Sequence, residues 1–333
     1  MKGEGIIGAA DTVTKAYIRK NEVFADAFNY FMYDGRQKIQ PEQLRELDST
    51  EIAILLNEKD TKDKTNKEKE ASEQKMVQKY RDLLKTATIM EDGEAAYVLL
   101  GIENQTEVHY AMPVRNMLYD AMQYNQQVTE IAEKHKGQKG GKRQQKISTG
   151  EFLSGFYKNN KLIPVITLVL FFNPGELDGP RSLFDMLDIS NPIFKKYAQD
   201  YKIHIISPKE ILESDLKKFS SSLREVIGCI KYSNDKNKLA AFIQDNPRMN
   251  IEVEAARVLE VIIHTHIKRE EVDDMGNVNM CKAIQEMIQD GRDEGRVQLL
   301  VTLIQSGDIS LQRAAALMNM TPKEFQEKSK MIS

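Results

Sequence analysis

The apolar run at residues 163–172 is the feature that most restricts how this 333-residue chain can fold. Nearly every residue of IPVITLVLFF is apolar and several are β-branched, which is typical of a strand buried on both faces. A second, shorter strand is predicted at residues 202–206. Because helices must cover a sheet buried on both faces, the sequence predicts an α/β fold, with a mixed central sheet flanked by helices.

Two further extended runs, residues 80–89 and 95–102, flank a strong turn signal. Asp92-Gly93 lies between them and is typical of tight hairpin turns, so we expect two antiparallel strands. With this pair at the centre of the turn, Asp82 lies opposite Glu103. Opposed side chains share a face with Cβ atoms about 4.5 to 5.5 Å apart, where like charges repel each other. A divalent cation bound by both carboxylates would relieve that repulsion, whereas a bulge would separate them.

The strand after the turn continues as Glu103-Asn104-Gln105. Since side chains alternate along a strand, Gln105 shares a face with Glu103, while Asn104 points the other way. Magnesium suits one or two carboxylates together with water and a substrate phosphate, and bound metal ions can drive phosphodiester hydrolysis. The pattern therefore favours Asp82 and Glu103 as ligands, with Gln105 orienting the attacking water or a phosphate oxygen. An aspartate followed by Glu-x-Gln also arises by chance.

Helical patterns dominate the two ends of the chain. Residues 14–33 predict one helix, and everything beyond Pro208 is expected to be helical. We expect a core at residues 1–215, a helical extension at 216–290 and a helical tail at 291–333. The tail should contain a two-helix hairpin with Thr321 as N-cap and Pro322 at the first helical position. Homo-oligomerisation through these C-terminal helices is one expected use of them.

Charge and composition restrict the partners. The net charge of -3 gives no global attraction to polyanions, so DNA binding would need a locally basic surface. The Gly-containing loop at residues 134–146 contains no acid, and Lys139, Lys142 and Arg143 are candidate DNA contacts, with a solvated loop as the alternative. No long apolar run or secretory signal is present, so we expect a cytoplasmic protein without a membrane partner. The two cysteines show no zinc-site spacing.

Three segments around these residues resemble the Rpn family of recombination-promoting nucleases. They are Arg81-Asp82-Leu83-Leu84, the segment Leu-Gly-Ile-Glu-Asn-Gln-Thr that contains Glu103, and Met-Pro-Val-Arg ending at Arg115. The resemblance continues into residues 161–166 and covers most of the chain. Such proteins belong to the PD-(D/E)xK nuclease group. The resemblance therefore implies a restriction-endonuclease-like core, DNA cleavage that depends on Mg²⁺ or Mn²⁺, and a link to recombination or mobile elements.

The resemblance also assigns roles by position. Asp82 corresponds to the aspartate of the motif, Glu103 to its acidic residue and Gln105 to its usual lysine. Asp26 is similar to an additional upstream acidic ligand, although a solvated helix face explains it equally well. The sequence departs from the wider group because no proline precedes Asp82 and glutamine replaces lysine. Arg115 is a candidate phosphate contact, since its planar guanidinium can bind two oxygens at once.

Two other functions stay open at this level. The chain could keep the nuclease fold without catalysis and act as a DNA-binding or scaffolding module. It could also cleave RNA, because recognition of the 2′-hydroxyl leaves no readable pattern in this sequence.

Overall fold

A computed structural model gives the architecture of the chain. It describes residues 3–47, 82–91, 94–137, 147–244, 246–265 and 272–332. The chain forms two compact units, Met1–Lys231 and Tyr232–Ser333. The first unit thus extends beyond the boundary expected at residue 215, and the boundary expected at residue 290 falls inside a continuous helix, Met280–Gln305.

The first unit is built around a five-stranded mixed sheet with the strand order β1-β2-β3-β4-β5. The strands are β1 (Arg45–Glu46), β2 (Leu83–Glu91), β3 (Glu94–Gln105), β4 (Val165–Phe171) and β5 (His204–Ile206). The pairs β1–β2 and β2–β3 are antiparallel, and the pairs β3–β4 and β4–β5 are parallel. The expected α/β class with a mixed, helix-flanked sheet is confirmed, while a restriction-endonuclease-like identity stays a prediction.

The hairpin formed by β2 and β3 has the register that the sequence predicts. Glu91 pairs with Glu94, and Leu83 pairs with Ile102 at the other end of the ladder. This register puts residues 82 and 103 next to each other. The turn residues themselves, Asp92 and Gly93, lie outside the described residues.

In the described part of the first unit, the helices are α1 (Gly3–Ile18), α2 (Asn21–Tyr33), α3 (Met112–Gly137), α4 (Thr149–Ser154) and α5 (Leu223–Tyr232), whose last residue belongs to the second unit. The expectation of a single helix over residues 14–33 is wrong, because the chain breaks between α1 and α2. The Lys85 side chain meets this break and donates to the Arg19 carbonyl at 2.6 Å and to Asn21 Oδ1 at 2.5 Å. A tertiary contact, rather than a glycine or proline, therefore marks the junction.

Helices cover both faces of the sheet. The side-chain amide of Asn104, on β3, donates to the Thr14 hydroxyl of α1. On the opposite face, the Thr167 hydroxyl of β4 donates to Asp120 of α3 at 2.6 Å. Because neighbouring strand residues point to opposite faces, Glu103 and Asn104 look toward different helices. This alternation decides which partners each residue of the candidate site meets.

The second unit combines helices with a small sheet. Among its described residues the helices are α6 (Lys236–Ile243), α7 (Val253–Ile262), α8 (Met280–Gln305), α9 (Leu311–Leu317) and α10 (Pro322–Ile332). The expectation of helix throughout the chain beyond Pro208 is wrong, because β6 (Asn250–Glu252) and β7 (Asn277–Asn279) form an antiparallel pair. Short 3₁₀ turns occupy Pro41–Gln43, Phe194–Lys196, Glu213–Lys218 and Pro247–Met249.

The predicted terminal hairpin is confirmed. The backbone N–H of Glu324 donates to the Thr321 hydroxyl at 3.3 Å, and the Glu324 carboxylate accepts from the Thr321 N–H at 2.8 Å. This reciprocal capping begins α10 at the position expected from Thr321-Pro322. The hairpin packs on α8 around Val297, Leu300, Ala314, Ala315 and Phe325. In the described parts of the chain, no helix combines the length and apolar character needed to span a bilayer.

Candidate active site

Asp82 and Glu103 meet where the β2–β3 hairpin ends. Asp82 immediately precedes β2, and its backbone N–H donates to Glu103 Oε1 at 3.3 Å. The two residues are therefore neighbours, as the hairpin register predicts, but the contact joins the Asp82 backbone, not its carboxylate, to Glu103. The expected face-to-face pair of carboxylates is not what holds them together, because each carboxylate meets a cation from a different helix.

The Asp82 carboxylate contacts α1 on one side and β3 on the other. Its Oδ1 lies 2.9 Å from Lys15 Nζ of α1, and its Oδ2 accepts from the Asn104 backbone N–H at 2.8 Å. Only 8% of the side chain is exposed. A salt bridge and a backbone hydrogen bond thus fix the nearly buried Asp82 carboxylate at the start of β2.

The Glu103 carboxylate is fully buried and faces α3. Its Oε2 lies 3.3 Å from Arg115 Nη2. Arg115 also donates from Nε to the Tyr119 hydroxyl at 2.9 Å, one helical turn further along. Burial lowers the pKa of Arg115, but Glu103 and Tyr119 raise it more, so its pKa lies above the ordinary value. Burial and Glu103 together raise the pKa of the Tyr119 phenol, which keeps it protonated.

Two separate cations therefore compensate the two acids. The sequence predicts repulsion between opposed carboxylates and one metal ion that relieves it; in the structure Lys15 accompanies Asp82 and Arg115 accompanies Glu103. Arg115, expected as a phosphate contact, uses part of its guanidinium on Glu103. Lys15 was absent from the expected site, because a lysine on a helix 67 residues upstream of Asp82 carries no sequence signal for this contact.

A pocket of 380 Å³ opens beside Asp82 on the α1 side of the sheet. Asp11, Lys15, Arg19, Asp82 and Asn104 are among the residues that line it. Lys15 Nζ donates to Asp11 Oδ2 at 2.7 Å as well as contacting Asp82. Burial lowers the pKa of Lys15, but the hydrogen bonds to these two acids raise it more, so the side chain stays positively charged.

Gln105 ends β3 two residues after Glu103. The alternation of the strand puts its half-buried side chain on the Glu103 face. Its backbone carbonyl accepts from the Phe172 N–H at 2.7 Å, which ties the end of β3 to the end of β4.

Asp26 lies in a different environment. Its two carboxylate oxygens accept hydrogen bonds from the backbone N–H groups and hydroxyls of Ser220 and Ser221, at 2.7 to 3.0 Å. Among the residues that the structure describes, no three His, Cys, Asp or Glu side chains are grouped to hold a metal ion. The structure thus does not bring Asp26 together with Asp82 and Glu103.

The other three predicted DNA contacts, Lys139, Lys142 and Arg143, lie outside the described residues. Only the start of the basic loop, up to Gly137, is described, and it forms the last turns of α3.

The donor atoms fit magnesium in kind. Carboxylate and amide oxygens are ligands that Mg²⁺ accepts, and this ion usually keeps several waters rather than a complete protein cage. Asp82 and Glu103 would supply the protein ligands. Because each carboxylate already neighbours a cation, Mg²⁺ would compete with Lys15 or Arg115 for these oxygens.

Comparisons of the chain with family models, with curated proteins and with solved structures find no match. The resemblance to Rpn nucleases therefore stays a prediction from the motif residues alone.

Proposed function

We propose that the chain is a metal-dependent endonuclease that hydrolyses DNA phosphodiester bonds at Asp82 and Glu103. The observation that carries the proposal is the direct contact between the Asp82 backbone and the Glu103 carboxylate, with a cation on each side. Asp82 also lines the pocket on the α1 side, and a nearly buried acid that lines a pocket is typical of sites that bind charged ligands.

The residues of the site would have distinct roles. Asp82 and Glu103 would hold Mg²⁺ or Mn²⁺, which when bound polarises a phosphoryl oxygen and lowers the pKa of a water molecule. Gln105 would orient the attacking water or a phosphate oxygen through its amide. Lys15 and Arg115 would donate to phosphate oxygens, because ammonium and guanidinium groups both bind phosphate. A link to recombination or mobile elements rests on the family resemblance.

Nicking of a supercoiled plasmid in Mg²⁺ tests the proposal. We expect Asp82→Asn and Glu103→Gln each to reduce the nicking rate at least about 100-fold, because metal binding supplies several kcal/mol of transition-state stabilisation. Asp188→Asn is the matched control, since it removes an exposed acid from another part of the same unit. Equal nicking by the wild type and the Asp82→Asn/Glu103→Gln double variant would refute the proposal.

A DNA-binding or scaffolding module without catalysis is the second candidate. It is favoured by the charge balance of the site, where Lys15 and Arg115 already compensate both acids. Calorimetric titration separates the two functions. A wild-type chain that shows no affinity for Mg²⁺ or Mn²⁺ but still retards DNA in a gel would favour the module. Parallel assays with an RNA substrate would identify a ribonuclease.

A further inference from the structure

The connection between β4 and β5 displays two aromatic side chains to solvent. Phe194 is 57% exposed and Tyr197 is 78% exposed. Both belong to the 3₁₀ turn Phe194–Lys196 and its C-terminal cap. Tyr197 follows Phe194 by three residues, and positions i and i+3 of a 3₁₀ turn tend to eclipse each other. Exposed aromatic rings grouped in this way mark interaction surfaces.

The turn that carries the rings is well defined. Asn191 Oδ1 accepts from the Ile193 N–H at 3.0 Å, and the Phe194 N–H donates to the Asn191 carbonyl at 3.0 Å. Pro192 further restricts the backbone at the start of the turn. The rings are therefore held by a structured backbone, which lowers the entropic cost of binding a ligand against them.

Two exposed lysines, Lys195 and Lys196, lie between the rings in the sequence. Lys195 Nζ lies 5.3 Å from the centre of the Phe184 ring, so its stem packs back onto the connection. Among the acids of the connection, Asp185 and Asp200 accept hydrogen bonds from backbone N–H groups. Lys195 and Lys196 thus put positive charge between the two rings, with the ionised Asp185 and Asp200 carboxylates in the same connection.

The connection begins beside the candidate active site. The Phe172 N–H donates to the Gln105 carbonyl, and Asn173 Nδ2 donates to the Thr106 carbonyl, both at 2.7 Å. The connection that carries the rings therefore starts next to the end of β3, the strand that carries Glu103 and Gln105.

We propose that Phe194 and Tyr197 form a stacking platform for unpaired bases of a DNA strand, with Lys195 and Lys196 attracting its phosphates. Stacking suits this surface because every base has a π-face, and aromatic rings flanked by cations are the usual way of binding single strands without sequence preference. The inference concerns binding and does not require hydrolysis. An anionic lipid surface is the competing ligand, since apolar rings with lysines also insert at membrane interfaces.

The test measures the affinity of the full chain for a fluorescent oligothymidylate of about 15 nucleotides, in EDTA so that no cleavage takes place. Phe194→Leu and Tyr197→Leu keep an apolar side chain but remove the ring. We expect each to weaken binding about 5-fold or more, because a stacked base contributes at least about 1 kcal/mol. Phe152→Leu is the matched control, since Phe152 is 65% exposed on α4, and we expect it to bind like the wild type.

An abasic strand of the same length separates stacking from charge. We expect the leucine variants to bind it as the wild type does, because no base is present to stack. Lys196→Gln should weaken binding to both strands and reduce the slope of log affinity against log salt by about 0.7. Equal losses on both strands for the leucine variants, or no loss on either, would overturn the proposal.

Two further outcomes are decisive. Wild-type binding to phosphatidylserine vesicles but not to the oligothymidylate would assign the surface to lipid and overturn the proposal. Binding of the oligothymidylate by the wild-type chain in EDTA, with the expected losses for the leucine variants, would support it even if plasmid nicking is never observed.

Discussion

Asp26 and Glu103 are both buried acids of the first unit, but different kinds of group hold them. Asp26 accepts from backbone N–H groups and hydroxyls of Ser220 and Ser221, which are neutral dipoles fixed by the fold. The Glu103 carboxylate instead pairs with the Arg115 guanidinium, and the adjacent Asp82 carboxylate pairs with the Lys15 ammonium. Another cation can replace a cation, whereas a metal ion cannot replace a set of N–H donors without unfolding the segment that carries them. Of the acids expected as ligands, Asp82 and Glu103 are therefore better placed than Asp26 to exchange partners.

Arg115→Met should give the largest change in stability. It leaves the fully buried Glu103 carboxylate without its guanidinium, and loss of one partner of a buried pair costs about 3 to 5 kcal/mol. Urea unfolding would measure the loss. We expect Mg²⁺ to restore more stability to this variant than to the wild type, because the metal would supply the missing charge. An equal effect of Mg²⁺ on both proteins would mean that no metal ion reaches Glu103.

Asp26→Asn should reduce the free energy of unfolding by about 2 to 3 kcal/mol, because it weakens charge-assisted hydrogen bonds to Ser220 and Ser221. Urea unfolding with and without Mg²⁺ is the measurement. The increment from Mg²⁺ should equal that of the wild type, since Asp26 is not a ligand. A smaller stabilisation by Mg²⁺ in the variant than in the wild type would indicate that Asp26 is a metal ligand.

Lys15→Met should change stability by less than about 1 kcal/mol, because the lysine side chain is 40% exposed and such pairs contribute little. Removal of the competing ammonium should tighten Mg²⁺ binding about 2- to 5-fold, in proportion to the energy of that pair. Calorimetric titration would measure the affinity. Lys15→Arg keeps the charge and should bind Mg²⁺ like the wild type; weaker binding by Lys15→Met would contradict competition.

Lys85 extends the comparison to a buried cation that is held by dipoles. Burial lowers its pKa below the ordinary value of 10.5. Between the folded pKa and 10.5 the unfolded chain binds more protons, so this group makes stability rise as pH rises through that range. We expect Lys85→Met to flatten the rise in urea unfolding measured up to about pH 10, and the exposed Lys161→Met to leave it unchanged. An identical pH profile for wild type and Lys85→Met would show that Lys85 titrates normally.

The contact between residues 82 and 103 could be predicted because it depends on local rules. The turn signal sets the register, and strand alternation then sets the faces on which Glu103, Asn104 and Gln105 lie. The buried strand at Val165–Phe171 followed from its composition for the same reason. Such features need only the sequence within a few residues of the element.

The partners of the acids could not be predicted because they come from distant helices. Lys15 reaches Asp82 only because α1 packs on the face of the sheet that carries the Asn104 side chain. Nothing near Lys15 in the sequence indicates that packing. The role of Asp26 depends on Ser220 and Ser221, which lie about 195 residues away. The break between α1 and α2 was missed for a similar reason, because Lys85 meets it from another part of the chain.

The Lys85 amine lies beneath the junction of α1 and α2, where it is 1% exposed. An acylating reagent can reach this amine only when the junction opens. The rate at which Lys85 is modified, followed by mass spectrometry against a surface lysine, therefore reports how often the N-terminal helix lifts from the sheet. The labelling rate of Lys85 therefore measures how often α1, the helix that carries Lys15, separates from the sheet.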